Sequence, residues 1–121
     1  NLTLHVYYAK PEFAALAREY DQTVEPHRLN ETHAKVGEYH VPEAEFDLTS
    51  LKDCCERAYS KFQAENWSPN GEARELIRAK GLQHTSMSVG DALIYGVRVY
   101  AVVPVGFKFA GYLPVEFKEV V

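Results

Sequence analysis

The sequence has no long hydrophobic run, and no stretch of it approaches the roughly 18 apolar residues of a transmembrane helix. The first residues also lack the basic flank and apolar core of a signal peptide, although a processed start is compatible with this. Hydrophobic residues are 46% and charged residues 25% of the total, as in globular rather than disordered chains. We therefore expect no membrane association and a single domain spanning the 121 residues, 1–121.

Cysteine is scarce, since the chain has only Cys54 and Cys55. Neighbouring cysteines rarely bridge each other, and two thiols make no disulfide framework. We interpret them as buried, reduced thiols and expect a cytoplasmic location.

An excess of positive charge is also missing, because 13 Lys and Arg stand against 17 Asp and Glu. The net charge of −4 disfavours bulk binding of nucleic acid but leaves room for a local basic patch.

Motifs for known catalytic or cofactor-binding centres are absent from the sequence. The glycines are scattered rather than grouped in a phosphate-binding loop, and neither G-x-S-x-G nor H-E-x-x-H occurs. His27, His33 and His40 are six and seven positions apart, whereas paired zinc ligands are usually two to five apart. We interpret these histidines as exposed in a polar segment. No metal, no cofactor and no catalytic residue is predicted.

Hydrophobic periodicity predicts two strands and a helix in the first third of the chain. Apolar residues alternate over 2–8, which indicates a strand with one buried face. A helix follows from Pro11, and the spacing places Phe13, Leu16, Ala17 and Tyr20 on its buried face. Residues 21–34 are polar and predict a loop. A short strand is predicted over 35–40, and Pro42 must either end it or place it at an edge of the sheet.

The clearest helix follows Asp47. Its apolar residues recur at helical spacing and predict one buried stripe: Leu51, Cys54, Cys55, Ala58, Tyr59 and Phe62. Ser50, with Asp53 three residues later, predicts the N-cap, and Asp47 and Thr49 are the alternatives.

The rest of the chain predicts a turn, a short helix and several strands. A turn-rich break covers 66–71, and a helix over 72–80 ends at Gly81. Runs over 92–94 and 97–103 flank Tyr95-Gly96 as a hairpin, and 105–109 and 115–121 are candidates for further strands. Helices thus precede strands, which predicts an α+β fold. We expect a mainly antiparallel sheet of about four to five strands with two or three helices packed on it, and a β-rich C-terminal third.

The most informative segment is residues 83–91, which read Gln-His-Thr-Ser-Met-Ser-Val-Gly-Asp. Gly90 permits a positive φ immediately before a strand. Asp91 can accept hydrogen bonds from nearby backbone N–H groups and so fix the turn. Ser86 and Ser88 alternate with apolar neighbours, as an extended segment with one buried face requires.

This segment, with its flanks, resembles a group of small proteins of phages, plasmids and bacterial mobile elements, whose nearest named member is the YodL-like domain. Such proteins show an N…W segment, an R-S-x-S-V-G-D element, a hairpin and a G-F or G-W ending. The corresponding elements here are Asn66-Trp67, 86–91, the hairpin and Gly106-Phe107, within about residues 58–112. The resemblance implies an accessory protein of a mobile element and implies no reaction.

One position departs from that pattern, because Thr85 stands where such proteins often carry arginine. If the arginine contacts a phosphate or a carboxylate in relatives, the contact is missing here. His84, Arg78 or Lys80 replaces it only if folding brings one of them near.

Each candidate residue has a structural interpretation beside the functional one. The hydroxyls of Ser86 and Ser88 either line a site or satisfy the backbone of the turn, and we favour the turn. Asp91 is either a base or metal ligand, or it fixes the turn, which we favour. Cys54, near a helix N-terminus, is a conceivable nucleophile, but its place on the apolar stripe favours an inert thiol.

Trp67 is either part of the core edge, which we favour, or an anchor for a binding partner. The aromatic residues predicted on strands could stack bases beside Arg98 and Lys108, or pack on the helices. These are Tyr7, Tyr8, Tyr39, Tyr95 and Tyr100.

Three functional hypotheses follow. The first is a small non-enzymatic binding module that engages a protein partner or its own copy. The second is a nucleic-acid-associated accessory protein, for which Arg74 and Arg78, one helical turn apart, are the best argument. The third is an enzyme of unknown reaction. The candidate binding residues are Asn66, Trp67, His84, Ser86, Ser88 and Asp91.

Overall fold

The computed structural model describes residues 2–41, 50–115 and 117. Its centre is a five-stranded antiparallel sheet in the order β2-β1-β3-β4-β5. The strands are β1 Leu2–Ala9, β2 His33–Val41, β3 Ala92–Tyr95, β4 Arg98–Val102 and β5 Phe107–Tyr112. The helices are α1 Pro11–Tyr20, α2 Leu29–Thr32, α3 Leu51–Lys61, α4 Ala64–Trp67 and α5 Arg74–Ala79, and a 3₁₀ turn spans Pro26–Arg28. The predicted α+β fold with an antiparallel sheet and a β-rich last third is confirmed.

Helix α3 covers one face of the sheet. It begins at the predicted N-cap Ser50, whose side chain accepts a hydrogen bond from the Asp53 backbone N–H at 3.2 Å. Its buried stripe packs against alternate residues of β1 and against β3, which lie in the same cluster. Cys54 and Cys55 are each 1% exposed, and neither forms a disulfide. Burial raises the pKa of Cys55 to about 12, so this thiol stays protonated at neutral pH.

Helix α1 covers the opposite face, and this corrects two predictions. Strand β1 has one buried face only in its first half. From Val6 to Ala9 every residue is buried, because α1 folds back over the second face. The buried residues of α1 are Phe13, Ala14 and Ala17. Phe13 and Ala17 are thus buried as predicted, whereas Leu16 is 44% and Tyr20 73% exposed.

Several predicted boundaries shift. Residues 21–34 hold the 3₁₀ turn and α2 rather than only a loop, and Asn66 and Trp67 lie in α4 rather than in a turn. The hairpin turn is Gly96-Val97, because Tyr95 pairs with Arg98. The last strand begins at Phe107 because a tight turn precedes it, in which the Val103 N–H bonds the Gly106 carbonyl at 3.1 Å.

Some predictions fall outside the described part of the chain. They concern Pro42, the alternative caps Asp47 and Thr49, and most of the predicted strand over 115–121. Val115 and Phe117, which are described, do not lie in a strand. Across the described residues, no helix combines the length and the apolar character needed to cross a membrane.

Candidate functional site around Asp91

Asp91 lies immediately before β3, and its carboxylate joins three segments of the chain. One oxygen, Oδ1, accepts from the Ala9 backbone N–H at 2.7 Å. The other, Oδ2, accepts from the Ser88 backbone N–H at 2.7 Å. The His84 Nε2 lies 2.9 Å from both oxygens. Since Asp91 is 0% exposed, its carboxylate fixes the end of β1, the turn 88–91 and the segment before it.

The electrostatics of Asp91 balance burial against hydrogen bonding. Burial raises the pKa of the Asp91 carboxyl, while the His84 imidazole and the two backbone N–H groups act against this rise. All these donors are committed to the carboxylate. The arrangement therefore suits a structural clamp better than a group that exchanges protons with a substrate.

The ring of His84 is partly exposed to solvent, unlike the buried carboxylate that it bonds. Its side chain is 22% exposed, and its ring stacks on Tyr8 with centroids 4.6 Å apart and planes 13° apart. Because a carboxylate accepts, Nε2 carries a proton and Nδ1 keeps its lone pair in the neutral ring. No described residue bonds to Nδ1, and no described buried side-chain nitrogen or oxygen is left unsatisfied, so Nδ1 is open to water.

The carbonyl of Thr85 is a second junction. It accepts from the Tyr8 hydroxyl at 2.6 Å and from the Trp67 indole N–H at 2.9 Å. The same hydroxyl lies 3.0 Å from the Phe62 carbonyl. Burial, followed by the charge of Asp91, raises the pKa of Tyr8, which keeps the hydroxyl protonated as a donor. The side chain of Thr85, at the position of the missing arginine, plays no part in these bonds.

The serine hydroxyls bond to the backbone. Ser86 Oγ accepts from the Ala64 N–H at 2.8 Å and so satisfies the first turn of α4, whose own N-cap gives no side-chain bond. Ser88 Oγ donates to the Ser86 carbonyl at 2.9 Å. Asn66 is exposed and donates to the Ser60 carbonyl at 2.7 Å. The Ser88 hydroxyl thus serves the backbone of the turn, as interpreted from the sequence, whereas the Ser86 hydroxyl serves the backbone of α4.

Gly90 and His33 complete the support of this turn. Gly90 has a φ of 96°, and a Cβ there would lie 2.8 Å from the Ala17 Cβ. Its carbonyl accepts from His33 Nε2 at 2.7 Å, and the Thr32 hydroxyl lies 2.6 Å from His33 Nδ1.

His33 is 2% exposed, so its predicted exposure is wrong, whereas His27 and His40 are exposed, at 70% and 67% of their side chains. Burial lowers the pKa of His33 to about 4.

The structure therefore brings most of the predicted site residues together. His84, Ser88 and Asp91 share one hydrogen-bond network, which Trp67 joins through Thr85. Ser86 connects the network to α4, and Asn66 lies at its margin. Sequence reasoning missed Tyr8, His33 and the Ala9 N–H, because their partners are between 54 and 82 positions away. A buried tyrosine at the end of an alternating strand gives no local sign of such a role.

Catalytic and metal chemistry finds little support in this cluster. The Ser86 and Ser88 hydroxyls bond to the backbone rather than to His84. A cleft of about 610 Å³ lies nearby, but Gly81 and Gln83 line it instead of the serines, His84 or Asp91. Over the residues that the structure describes, no group of three or more His, Cys, Asp or Glu side chains is placed to hold a metal ion.

No family model, curated protein or solved structure matches this chain. The resemblance to the YodL-like domain therefore stays a prediction.

A second candidate surface lies on β4 and β5. Tyr100 and Phe109 are opposite each other with ring centroids 5.5 Å apart, and Phe109 and Tyr112 are 5.2 Å apart. Phe109 is 44% and Tyr112 61% exposed. We call these three residues the aromatic cluster. Arg98 pairs with Tyr112 and lies on the same face, two residues before Tyr100. Lys108 lies on the opposite face, where it lines a cavity with Ala110.

Proposed function

We propose that the protein is a small, non-enzymatic binding module that engages a protein partner through the aromatic cluster. The observation that carries this proposal is the exposure of Phe109 and Tyr112 on β5, a strand at the edge of the sheet. Aromatic side chains supply much of the binding energy at protein interfaces. An edge strand also offers unpaired backbone groups to a further strand.

The charge of this region indicates the chemistry of the partner. Residues 92–115 contain Arg98 and Lys108 and no Asp or Glu, although the whole chain carries −4. A partner segment with acidic and apolar residues therefore complements this part of the molecule. We propose that such a segment binds in extended form along β5, with its apolar side chains on the aromatic cluster.

The polar cluster around Asp91 supports the non-enzymatic part of the proposal. Its serines and its carboxylate are engaged in backbone bonds. The buried thiols of Cys54 and Cys55, which form no disulfide, fit a reducing compartment, so we place the protein in the cytoplasm. In line with the resemblance stated above, the process it serves would be that of a phage or a plasmid.

Partner capture with a matched surface variant tests this proposal. The variants are Phe109→Ser and Tyr112→Ser, and the control is Tyr20→Ser, which alters a tyrosine 73% exposed on α1. The parent protein and the control should capture a partner from host lysate and should bind peptides of its acidic segments. We expect the two β5 variants to lose both the capture and the peptide binding. Size-exclusion chromatography with light scattering identifies self-association as the alternative occupant. A strict monomer that captures nothing contradicts the proposal, as does capture that all three variants retain.

Single-stranded nucleic acid is the second candidate ligand for the same surface. The observation in its favour is Arg98 beside Tyr100, because an aromatic ring next to a cation can stack bases. Lys108, on the opposite face, does not add to it. Binding of an oligonucleotide would weaken steeply with salt. Absence of any mobility shift at about 50 mM salt removes this candidate.

A further inference from the structure

A cleft at the outer edge of β2 differs in charge from the rest of the chain. Its volume is about 400 Å³, and its lining includes Lys10, Lys35, Lys80, Asn30 and Tyr7. Among the described residues, no acidic side chain lines it. In a protein of net charge −4, three lysines around one cavity form a local positive region.

The backbone holds these three lysines in place. Lys10 is the N-cap residue of α1, and its N–H bonds the Thr32 carbonyl at 2.8 Å. Lys35 lies within β2, paired with Tyr7 of β1. Lys80 ends α5, where its N–H bonds the Leu76 carbonyl at 3.1 Å. The floor of the cleft is therefore formed before any ligand arrives, which lowers the entropy cost of binding.

Two of the three ammonium groups are available to a ligand. The Lys35 Nζ is 2.7 Å from Glu38 Oε2, so its charge is compensated. Within the described part of the chain, neither Lys10 nor Lys80 has a carboxylate partner. Glu31, on the neighbouring helix α2, pairs with Arg28 at 3.4 Å. Two lysines without a described carboxylate partner thus line a cavity of small-molecule size.

His33 lines the same cleft, and its pKa is affected by the charge of Lys10. Burial is the main reason why the pKa of His33 is lowered to about 4; the bond to the Gly90 carbonyl acts against this, and the neighbouring His84 and Lys10 lower the pKa further. Both ring nitrogens of His33 are engaged, with Thr32 and with Gly90. The imidazole is therefore neutral at pH 7 and leaves anion binding to the lysines.

We infer that this cleft binds the phosphate group of a small phosphorylated molecule, held between the ammonium groups of Lys10 and Lys80. A phosphate monoester carries close to two negative charges at neutral pH, which matches the two uncompensated lysines. Asn30 lies within the same lining. The volume of about 400 Å³ favours a compact ligand over a long nucleic-acid strand, which requires a continuous basic track. The inference does not depend on the aromatic cluster or on the function proposed for it.

Calorimetric titration of the intact protein with pyrophosphate, at low ionic strength, tests the cleft. The variants are Lys10→Gln and Lys80→Gln, and the control is Lys61→Gln, which removes an exposed lysine of α3. We expect saturable binding that each cleft variant weakens on the order of tenfold, because charge-assisted bonds to phosphate are strong. The control should bind as the parent protein does. Circular dichroism spectra of all variants establish that each is folded.

Two further ligands, a nucleoside diphosphate and a single-stranded oligonucleotide, distinguish a small phosphorylated molecule from nucleic acid as the ligand of the cleft. We expect a nucleoside diphosphate to bind at least as tightly as pyrophosphate and to shift the backbone amide signals of Asn30 and Lys35 in NMR spectra. A single-stranded oligonucleotide that displaces pyrophosphate and binds far more tightly assigns the cleft to nucleic acid and overturns the inference. Absence of saturable pyrophosphate binding, or equal binding by all three variants, also overturns it.

Discussion

The imidazole of His84 lies parallel to the ring of Tyr8, 4.6 Å away between centroids, while its Nε2 bonds the buried carboxylate of Asp91. The Tyr8 hydroxyl in turn donates to the carbonyl of Thr85, the residue after His84. One aromatic side chain of β1 thus holds both the ring and the backbone of the segment before β3. This contact explains why a polar, glycine-containing segment has a fixed conformation.

Replacing Asp91 by asparagine should destabilise the protein by about 2–4 kcal/mol. Each carboxylate oxygen accepts from one backbone N–H, at Ala9 and at Ser88. The side-chain NH₂ that Asp91→Asn introduces would therefore meet an N–H donor in either orientation. Urea unfolding measures the loss, and Asp21→Asn, an exposed change, should stay within about 0.5 kcal/mol. Equal stability of the two variants would contradict the clamp.

Tyr8 and Trp67 should be energetically coupled through the Thr85 carbonyl. In Tyr8→Phe or Trp67→Phe this carbonyl keeps one donor, whereas in the double variant it loses both. We expect the double variant to lose about 0.5–1.5 kcal/mol more than the sum of the single losses. The control cycle pairs Trp67→Phe with Tyr20→Phe on the far side of the sheet and should be additive. Additivity in both cycles would show that Tyr8 and Trp67 are not coupled through the Thr85 carbonyl.

Stability should fall as the pH falls from about 6.5 towards 4 because of His33. Its pKa is lowered to about 4 by burial, so the unfolded chain takes up this proton first. The contribution of His33 is complete above about pH 6.5 and is lost by about pH 4, with a ceiling near 3 kcal/mol. Asp91, whose pKa is raised, acts in the opposite direction, since its contribution is lost as the pH rises through its folded value.

The two effects are separated by comparing variants at each pH. The stability difference between the parent protein and His33→Gln isolates the imidazole and should shrink as the pH falls through this window. His27→Gln, at a side chain 70% exposed, is the control. A difference that is the same at pH 7 and at pH 4.5 would argue against a neutral, buried His33.

Periodicity predicted what is local in this fold. Residues a few positions apart predict the Ser50 cap, the alternation at the start of β1 and the buried side of α3. Tyr59, which was predicted in the same stripe of α3, is 37% exposed. The stripe of α1 was predicted only in part, since Phe13 and Ala17 are buried but Leu16 and Tyr20 are not. The helix covers the second face of β1, and no local pattern records which face a helix will meet. Leu16 is exposed for that reason, although its spacing suits burial.

The candidate site was predictable in part. The turn-fixing role of Asp91 follows from its place after Gly90, and the Ser88 N–H is a local donor. His33, however, lies 57 positions from Gly90, whose carbonyl it bonds. In the sequence it is one histidine in a polar segment. The pairing of β1 with both β2 and β3 creates this contact, and such long-range pairings leave no trace in spacing.

Gly90 should be the glycine that tolerates substitution least. Its φ of 96° disfavours any side chain, and an added Cβ would lie 2.8 Å from the Ala17 Cβ on α1. The backbone is not free to withdraw, because the Gly90 N–H bonds the Val102 carbonyl at 2.9 Å and its own carbonyl accepts from His33. We expect Gly90→Ala to cost about 2–4 kcal/mol, the sum of backbone strain and overpacking.

Gly81 supplies the matched control, since its φ is 72° and no atom of the described residues lies within 4 Å of its added Cβ. Gly81→Ala should therefore cost about 1 kcal/mol, from the backbone alone. Introducing Ala17→Gly into the Gly90→Ala variant removes the steric contact but keeps the strained φ. In that background Gly90→Ala should cost only about as much as Gly81→Ala, as urea unfolding can measure. If its cost were the same with and without the Ala17→Gly change, close packing of α1 on the turn would not be the reason for a glycine here.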